Sequence, residues 1–186
     1  MAVPVTKNQD IVLEVTALGN DGQGIGRYEG YAVFVEGALP SEKISAKIIK
    51  VGSSFGIGKL NRIIAPSTER VEPKCPYFDR CGGCTLQHLQ YEAQLQYKTG
   101  LVRDALARIG GFAHPNVLPA IGMDTPWRYR NKAAFPAANS ANGVEFGLFA
   151  KRSHRVVPIA DCPIQKESGV LAMNAVQEWA NECGMA

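Results

Sequence analysis

Three cysteines within ten residues constrain the fold of this 186-residue chain more than any other feature. The chain contains five cysteines, and the clustered ones are Cys75, Cys81 and Cys84, in the sequence CPYFDRCGGC. An odd count argues against a framework built from disulfide bonds alone. Reduced cytosolic thiols in such a cluster are more often metal ligands or redox groups, so we expect a site that holds a metal or an iron–sulfur cluster.

The spacing of these cysteines helps to separate the possible kinds of site. A zinc ribbon uses two similar CxxC pairs around a tetrahedral ion, and only one such pair occurs here, at Cys81 and Cys84. An uneven triplet closed by a distant cysteine is more typical of an iron–sulfur cluster. Gly82 and Gly83 would let the backbone fold tightly around such a cluster. A zinc site and plain structural thiols are the alternatives.

Two cysteines far along the chain could supply a fourth ligand. Cys162 stands before a proline in DCPI, as Cys75 does in KCPY, and a loop position can turn its sulfur inward. Cys183 falls in the last turn of a predicted helix, where a small buried apolar side chain is the simpler interpretation. We therefore expect Cys162 to be the fourth ligand.

The composition sets the broad class of protein. Hydrophobic residues make up 46% of the chain, which is enough for the core of one large domain or two small ones. No apolar run reaches the roughly 20 residues of a membrane span, and the first ten residues do not resemble a signal peptide. We therefore expect a cytoplasmic, monomeric, globular protein that does not contact a membrane.

The first 66 residues predict a small all-β barrel. Ile11, Leu13, Val15 and Ala17 alternate with polar residues, and the strand-like runs YAVFV, EKISAKIIKV and FGIGKLNRII follow. A flat sheet this small would leave its edges exposed, so we expect it to close into an OB-like barrel. The glycine-rich run GNDGQGIG leads into an extended segment and not into a helix, which favours a turn or bulge over a phosphate-binding loop.

Residues 67–186 predict a partial α/β domain, which makes the fold class of the whole chain α+β. A helix is expected over Thr85–Ile109, with division into two helices at Gly100 as the alternative. His88 is expected on its surface, and a place beside the cysteine site is the alternative. From Trp127 the hydrophobic period changes to two, and the runs VEFGLF and RVVPIA continue an antiparallel meander. A last helix is expected over residues 170–183, so that helices flank the meander.

Positive charge is concentrated in one segment of the chain. The net charge is only +3, but residues 127–157 carry six Lys or Arg against one acid. Arg128, Arg130 and Lys132 fall on one face of the predicted strand, and three cations at period two are hard to explain by a core. This face therefore predicts contacts to phosphate groups. The other predicted contacts are Lys151, Arg152 and Arg155 in the same segment, and Lys59 and Arg62, with Lys47 and Lys50, in the barrel.

Four aromatic residues near these cations in the sequence could offer stacking faces. They are Trp127, Tyr129, Phe146 and Phe149. Packing in the core is the competing interpretation, and we favour it for Trp127 and Phe146. Tyr129 and Phe149 are then the expected stacking faces.

Four ordered segments of the sequence resemble one protein family. They are DGQGIGRYEGYAVFVEGALPSEK, RVEPKCPYFDRCGGCTLQHLQYEAQLQYK, WRYRNKAAFP and FGLFAKRSHRVVPIADCPIQ. Together they resemble the RNA (uracil-5-)-methyltransferases, specifically the members that act on 23S ribosomal RNA. The resemblance implies a TRAM domain, which is an RNA-binding β-barrel, at residues 1–66. It also implies a central domain, partly contained in residues 67–186, that holds a 4Fe-4S cluster on Cys75, Cys81, Cys84 and Cys162.

The resemblance further implies a methyl transfer that needs a domain outside this sequence. In the family, an enzyme cysteine adds to C6 of a flipped-out uracil, and C5 then takes the methyl group of S-adenosylmethionine. Those catalytic and cofactor-binding residues belong to a C-terminal domain, and no strand followed by GxGxxG and a helix occurs here. We therefore assign no catalytic or cofactor-binding residue to this chain. Its expected role is to present a uridine of ribosomal RNA.

Two other classes of protein compete with this interpretation. One is a stand-alone RNA-binding protein with an iron–sulfur or zinc site and no catalytic activity. The other is a small electron carrier, which is disfavoured because a basic, RNA-like surface is unusual in such a protein. Continuation of the reading frame into a fold that binds S-adenosylmethionine would separate the methyltransferase from the stand-alone protein.

Overall fold

The computed structural model of the chain describes residues 3–141 and 143–185. These residues form eight β-strands and two α-helices. The first five strands are β1 Asp10–Leu18, β2 Gly24–Tyr28, β3 Tyr31–Glu36, β4 Lys43–Val51 and β5 Phe55–Ala65. The elements that follow are α1 Tyr91–Arg108, β6 Ala137–Ser140, β7 Gly143–Phe149, β8 Val156–Pro158 and α2 Glu167–Glu182.

The chain folds into two compact units, and neither unit is one continuous stretch of sequence. The first unit combines the chain up to Glu72 with His88–Ile121, and the second combines Pro73–Gln87 with the chain from Gly122 onward. Helix α1 therefore belongs to the unit that contains the first five strands. These units describe contacts within the structure, and the domain division predicted at residues 66 and 67 stays a prediction.

The first unit contains a closed five-stranded barrel with the strand order β1-β2-β3-β5-β4. All neighbouring strands are antiparallel except β3 and β5, which are parallel. This arrangement confirms the predicted barrel of the OB type. Ile11, Leu13 and Val15 point into the core as predicted. Ala17 is exposed, because a bulge after Val15 shifts the register of β1.

Gly26 lies where strands β1 and β2 approach each other closely. A β-carbon at this position would overlap the carbonyl oxygen of Glu14 and lie 2.7 Å from Leu13 Cδ1 on the neighbouring strand. Gly22, in the turn before β2, has a φ of 76°, which L side chains rarely adopt. The glycine-rich run therefore serves a turn and a close strand contact, and it leads into a strand as predicted.

A buried ion pair ties the connection between β3 and β4 to the segment after β5. The Glu42 carboxylate is fully buried and accepts hydrogen bonds from Arg70 Nε at 2.6 Å and Nη2 at 3.0 Å. The backbone N–H groups of Leu39 and Ser67 also donate to it. Burial alone would raise the pKa of Glu42, but these hydrogen bonds and the positive charge of Arg70 hold the pKa below its ordinary value.

Helix α1 begins later than predicted, at Tyr91 and not at Thr85. An isolated β-bridge between Arg70 and Leu89 holds the chain extended just before the helix. His88 is consequently buried and lies outside the helix, which corrects its assignment to a helix surface. Tertiary pairing here outweighs the apolar pattern that extended the predicted helix.

The second unit contains the three-stranded sheet β6-β7-β8 and helix α2, which packs on β7. The sheet is antiparallel throughout, and α2 follows it, as predicted. Strand β8 pairs with only the last part of β7, Gly147–Phe149. Along the earlier part of β7, side chains of α2 make the backbone hydrogen bonds that a neighbouring strand would make. Asn181 exchanges two hydrogen bonds with the Val144 backbone, and Gln177 Oε1 accepts one from the Phe146 N–H.

The strand predicted from Trp127 does not form. Arg128 has a φ of 56°, in the left-handed region, which breaks the alternation of side chains. The segment instead pairs with the loop after β8, through an isolated bridge between Arg130 and Gln165. Arg128, Arg130 and Lys132 therefore do not share one strand face. Among the described residues, no helix is long and apolar enough to span a membrane.

Candidate functional site

All four predicted cluster ligands line one small cavity in the second unit. Cys75, Cys81 and Cys84 come from one loop, and Cys162 comes from the loop between β8 and α2. Cys81 and Cys162 are buried, whereas the other two are half-buried. Cys183 does not line this cavity. It is exposed, which corrects the expectation that it is a buried apolar residue.

Glycine allows the cysteine loop to dock against the end of β7. The Gly82 N–H donates a hydrogen bond of 2.9 Å to the Phe149 carbonyl. A β-carbon on Gly82 would lie only 3.0 Å from the same oxygen. The Gly83 N–H donates to Cys81 Sγ at 3.3 Å. Such a donor stabilises a thiolate, and hydrogen bonds to sulfur are one means by which proteins tune iron–sulfur clusters.

Burial in the cavity makes two of its thiols less acidic. Burial raises the pKa of Cys75 and of Cys84 above the ordinary value for cysteine. The other thiols contribute in the same direction, because neighbouring thiolates repel one another. Metal ligation requires thiolates, so binding at this site would release protons.

Arg128 and Asp161 hold the loop that presents Cys162. Arg128 donates to Asp161 Oδ1 at 2.7 Å and to Oδ2 at 2.8 Å, and its Nη1 also contacts the Cys162 carbonyl at 3.0 Å. Asp161 Oδ1 accepts the Cys162 N–H at 2.7 Å. The hydrogen bond from Arg128 holds the pKa of Asp161 below its ordinary value. The ion pair between Arg128 and Asp161 thus holds both the N–H and the carbonyl group of Cys162.

Four converging thiols supply the right donor set for a four-iron cluster, in which each iron binds one cysteine. Among the described residues, no three His, Cys, Asp or Glu side chains form a group that could hold a single metal ion. A cluster separates its thiolates more widely than one ion does, because each binds a different iron. The cavity measures about 20 Å³, room for about one water, which is less space than a four-iron cluster occupies.

The remaining predicted RNA contacts lie in different parts of the fold. Lys151, Arg152 and Arg155 lie in the hairpin between β7 and β8, where Lys151 Nζ is 5.1 Å from the Phe78 ring centroid. Arg130 and Lys132 are exposed in the segment before β6, and Lys59 and Arg62 are exposed on β5 of the first unit. The Arg128 guanidinium is paired with Asp161.

The aromatic residues divide as expected between core and surface. Trp127 and Phe146 pack against the core of the second unit. Tyr129 and Phe149 are about half exposed. Lys74 Nζ lies 5.1 Å from the Trp127 ring centroid, which places a cation over that partly buried ring.

Sequence reasoning missed two residues around the site, Asp161 and Gln165. Asp161 directly precedes Cys162, and an acid beside a predicted ligand in a basic region is a usable signal. Gln165 is 4% exposed, and nothing in the sequence pattern indicates that a glutamine three residues after Cys162 would be buried.

Comparison with known proteins shows which proteins this chain resembles. Residues 4–61, which include most of the barrel, match the TRAM domain. A protein of Halalkalibacterium halodurans named as an uncharacterized RNA methyltransferase is 43% identical over 98% of this chain and 40% of its own length. One from Clostridium tetani with the same description is 41% identical over 95% of this chain and 38% of its own length. Nearly the whole chain is therefore similar to part of proteins named as RNA methyltransferases, and its first part matches the TRAM domain. The chain spans about two fifths of the length of these relatives.

A solved structure supports the same fold. The chain is similar to the crystal structure of Pyrococcus abyssi tRNA (uracil-54, C5)-methyltransferase in complex with S-adenosyl-L-homocysteine. The similar region covers 92% of this chain and 37% of the Pyrococcus abyssi chain. The TM-score is 0.60 and the sequence identity is 25%. The similarity confirms the α+β class of this chain, a β-barrel followed by a small α/β region.

Proposed function

We propose that this chain is the RNA-binding and iron–sulfur portion of an S-adenosylmethionine-dependent 23S rRNA (uracil-5-)-methyltransferase. Its role is to hold ribosomal RNA and to present one uridine for methylation at C5. The transfer itself, and the binding of S-adenosylmethionine, belong to a catalytic domain outside this chain. The proposed protein is cytoplasmic and acts as a monomer.

The convergence of four cysteines on one cavity is the observation that carries this proposal. The fourth, Cys162, is 78 positions after Cys84 in the sequence, yet it lines the same cavity. In a TRAM-containing RNA methyltransferase, this donor set supports a 4Fe-4S cluster on Cys75, Cys81, Cys84 and Cys162. Such a cluster would join the cysteine loop to the loop after β8, so its main contribution is to the folding of the second unit.

The proposed RNA contacts are Lys and Arg side chains, most of them exposed. Phosphate contacts dominate the affinity of most RNA-binding surfaces, and Lys and Arg side chains at the surface supply them. We place them at Arg130, Lys132, Lys151, Arg152, Arg155, Lys59 and Arg62. Arg128 is the last proposed contact. It should contribute least to RNA affinity, because it is paired with Asp161.

The metal content and the RNA preference of the purified chain test this proposal. Protein purified without oxygen should be brown and contain about four irons with matching sulfide. It should also bind fragments of 23S ribosomal RNA more tightly than transfer RNA at the same salt concentration. One zinc and no iron would overturn the cluster, and tighter binding of transfer RNA would overturn the ribosomal assignment.

The longer gene product tests the methyl transfer. With S-adenosylmethionine it should form 5-methyluridine in 23S ribosomal RNA, whereas the chain of 186 residues should form none. RNA binding without methyl transfer by the longer product would instead favour the stand-alone RNA-binding protein.

A further inference from the structure

A second groove, which shares Arg130 with the lining of the cysteine cavity, crosses the second unit. It has a volume of about 390 Å³ and lies between the segment after Arg130, strand β7 and the first half of α2. Pockets for small molecules usually have volumes of roughly 300–1,000 Å³. Its apolar wall includes Phe135, Phe146 and Met173. The groove therefore has the size and the apolar surface to accept a planar group such as a nucleic-acid base.

Gln165 places a buried amide in this groove. The residue is 4% exposed and lines the groove. Its backbone is held in place, because its N–H donates to the Cys162 carbonyl at 3.0 Å. A ligand that offers both a donor and an acceptor could pair with the two polar groups of this amide.

Two cations lie beside the same amide. The bridge between Arg130 and Gln165, together with a 2.8 Å hydrogen bond from the Lys166 N–H to the Arg130 carbonyl, keeps these three residues adjacent. The Arg130 and Lys166 side chains are exposed and form no ion pair with another described residue. No Asp or Glu among the described residues lines the groove. This end of the groove therefore favours an anion.

We propose that the groove binds one unstacked nucleotide of the RNA substrate. Its base would lie against the wall formed by Phe135 and Phe146, and its edge would pair with the Gln165 amide. Arg130 and Lys166 would hold its phosphate. The inference rests on the proposed function, because it takes RNA as the partner, and it adds a nucleotide site separate from the uridine that is methylated.

The combination of these groups favours a nucleotide over other anions. Single-stranded RNA is recognised through splayed bases that lie against apolar surfaces and expose their edges to amides. Inorganic phosphate would use the two cations, but it has no planar face to lie against the apolar wall. Uridine 5′-monophosphate (UMP) uses all three groups, because its base edge offers both hydrogen-bond donors and acceptors.

Calorimetric titration with UMP, uridine and inorganic phosphate tests the site. UMP should bind at least about fivefold more tightly than either uridine or phosphate alone, because each of these lacks one part of the nucleotide that the groove holds. Gln165→Leu should weaken UMP binding by about tenfold. Gln96→Leu makes the same change at an exposed glutamine of α1 and should leave UMP binding unchanged.

A steric variant tests the groove without removing its buried amide. Ala172 is exposed and lines the groove, so Ala172→Trp should fill it and abolish UMP binding. Ala175→Trp is the matched control, since Ala175 is exposed on the same helix and does not line the groove. The thermal unfolding midpoint of each variant should stay near that of the unmodified chain.

Crosslinking links the groove to RNA. RNA that carries 4-thiouridine should label peptides containing residues 130–135 or 165–173, and Ala172→Trp should remove this labelling while the barrel still binds RNA. Equal UMP binding by Ala172→Trp and Ala175→Trp, or phosphate binding as tight as that of UMP, would overturn the inference. Failure of the unmodified chain to bind any RNA would instead overturn the proposed function.

Discussion

Cys162 shows what chemistry in the sequence can and cannot predict about single residues. Its role as fourth ligand is expected from a loop position before a proline, and the structure places it with Cys75, Cys81 and Cys84 at one cavity. The pairing of Asp161 with Arg128 is not predictable in the same way. A thiol ligand is recognisable from its type and spacing, whereas an ion pair between residues 33 positions apart depends on the fold.

Serine substitutions distinguish the proposed ligand Cys162 from the other distant cysteine. Cys162→Ser should reduce the iron content of anaerobically purified protein and destabilise the second unit, because it removes a ligand that closes the site. Cys183→Ser should leave iron unchanged, since Cys183 is exposed and away from the cavity. Iron analysis and thermal unfolding provide the measurements. Equal iron loss in both variants would contradict the choice of Cys162.

Charge reversal tests the cations one at a time. Arg130→Glu or Lys132→Glu should weaken RNA binding and lower the slope of log K against log salt by about one for each phosphate that the variant no longer neutralises. Arg128→Glu should have a smaller effect on the slope and a larger effect on thermal stability, because it places two acids together at Asp161. Binding measured from low to high salt gives the slopes. An unchanged slope in Arg130→Glu and Lys132→Glu would remove this segment from the RNA surface.

At the scale of elements, local pattern predicts strands well where neighbouring strands exist to pair with them. Strands β1 to β5 and the meander follow period-two runs, and each finds a partner in a sheet. The run from Trp127 has the same period, but it pairs only at Arg130, with a loop. Periodicity describes which side chains share a face, and it does not specify whether a partner strand is present.

Glycine substitutions in a strand and in a helix should have opposite effects. Gly26→Ala would bring a β-carbon onto the Glu14 carbonyl and should destabilise the barrel by at least about 2 kcal/mol. Gly100→Ala, in the middle of α1 with no atom within 4 Å of the new β-carbon, should stabilise the protein by up to about 1 kcal/mol. Urea unfolding measures both. Stabilisation by Gly26→Ala would contradict the close approach of β1 and β2.

The buried carboxylate of Glu42 makes the stability of the first unit depend on pH. Its folded pKa lies below the ordinary value of 4.5, so its contribution is present above pH 4.5 and is lost as pH falls through the folded pKa. The difference in unfolding free energy between the unmodified chain and Glu42→Gln should therefore shrink as pH is lowered from about 7 towards about 3. A difference that stays constant over this range would argue against a buried, ionised Glu42.

Arg70→Met tests the same ion pair from its other side. The substitution leaves the Glu42 charge buried without its cation and should cost about 3–5 kcal/mol at neutral pH. Glu42→Gln combined with Arg70→Met removes both charges and should recover part of that loss. A double variant less stable than Arg70→Met alone would contradict this account.

At the scale of the whole molecule, metal should matter to one unit more than to the other. The barrel has its own hydrophobic core, formed by residues such as Val33, Val35 and Ile44. The cysteine cavity lies in the second unit, whose described sheet has three short strands. Removal of iron with a chelator should therefore speed amide hydrogen exchange in β7 and β8 and leave β3 and β4 protected. Uniform loss of protection would show that the cluster supports the whole chain.

The discontinuous make-up of the second unit has a consequence for how the protein is made. Cys84 leaves the ribosome 78 residues before Cys162, a delay of roughly 4 to 16 seconds at about 5–20 residues per second. During that interval the first three thiols have no fourth partner and lack part of the sheet against which their loop docks. Loading of the proposed cluster must therefore come late in synthesis, and oxidation of the waiting thiols would intercept the nascent protein before its second unit is complete.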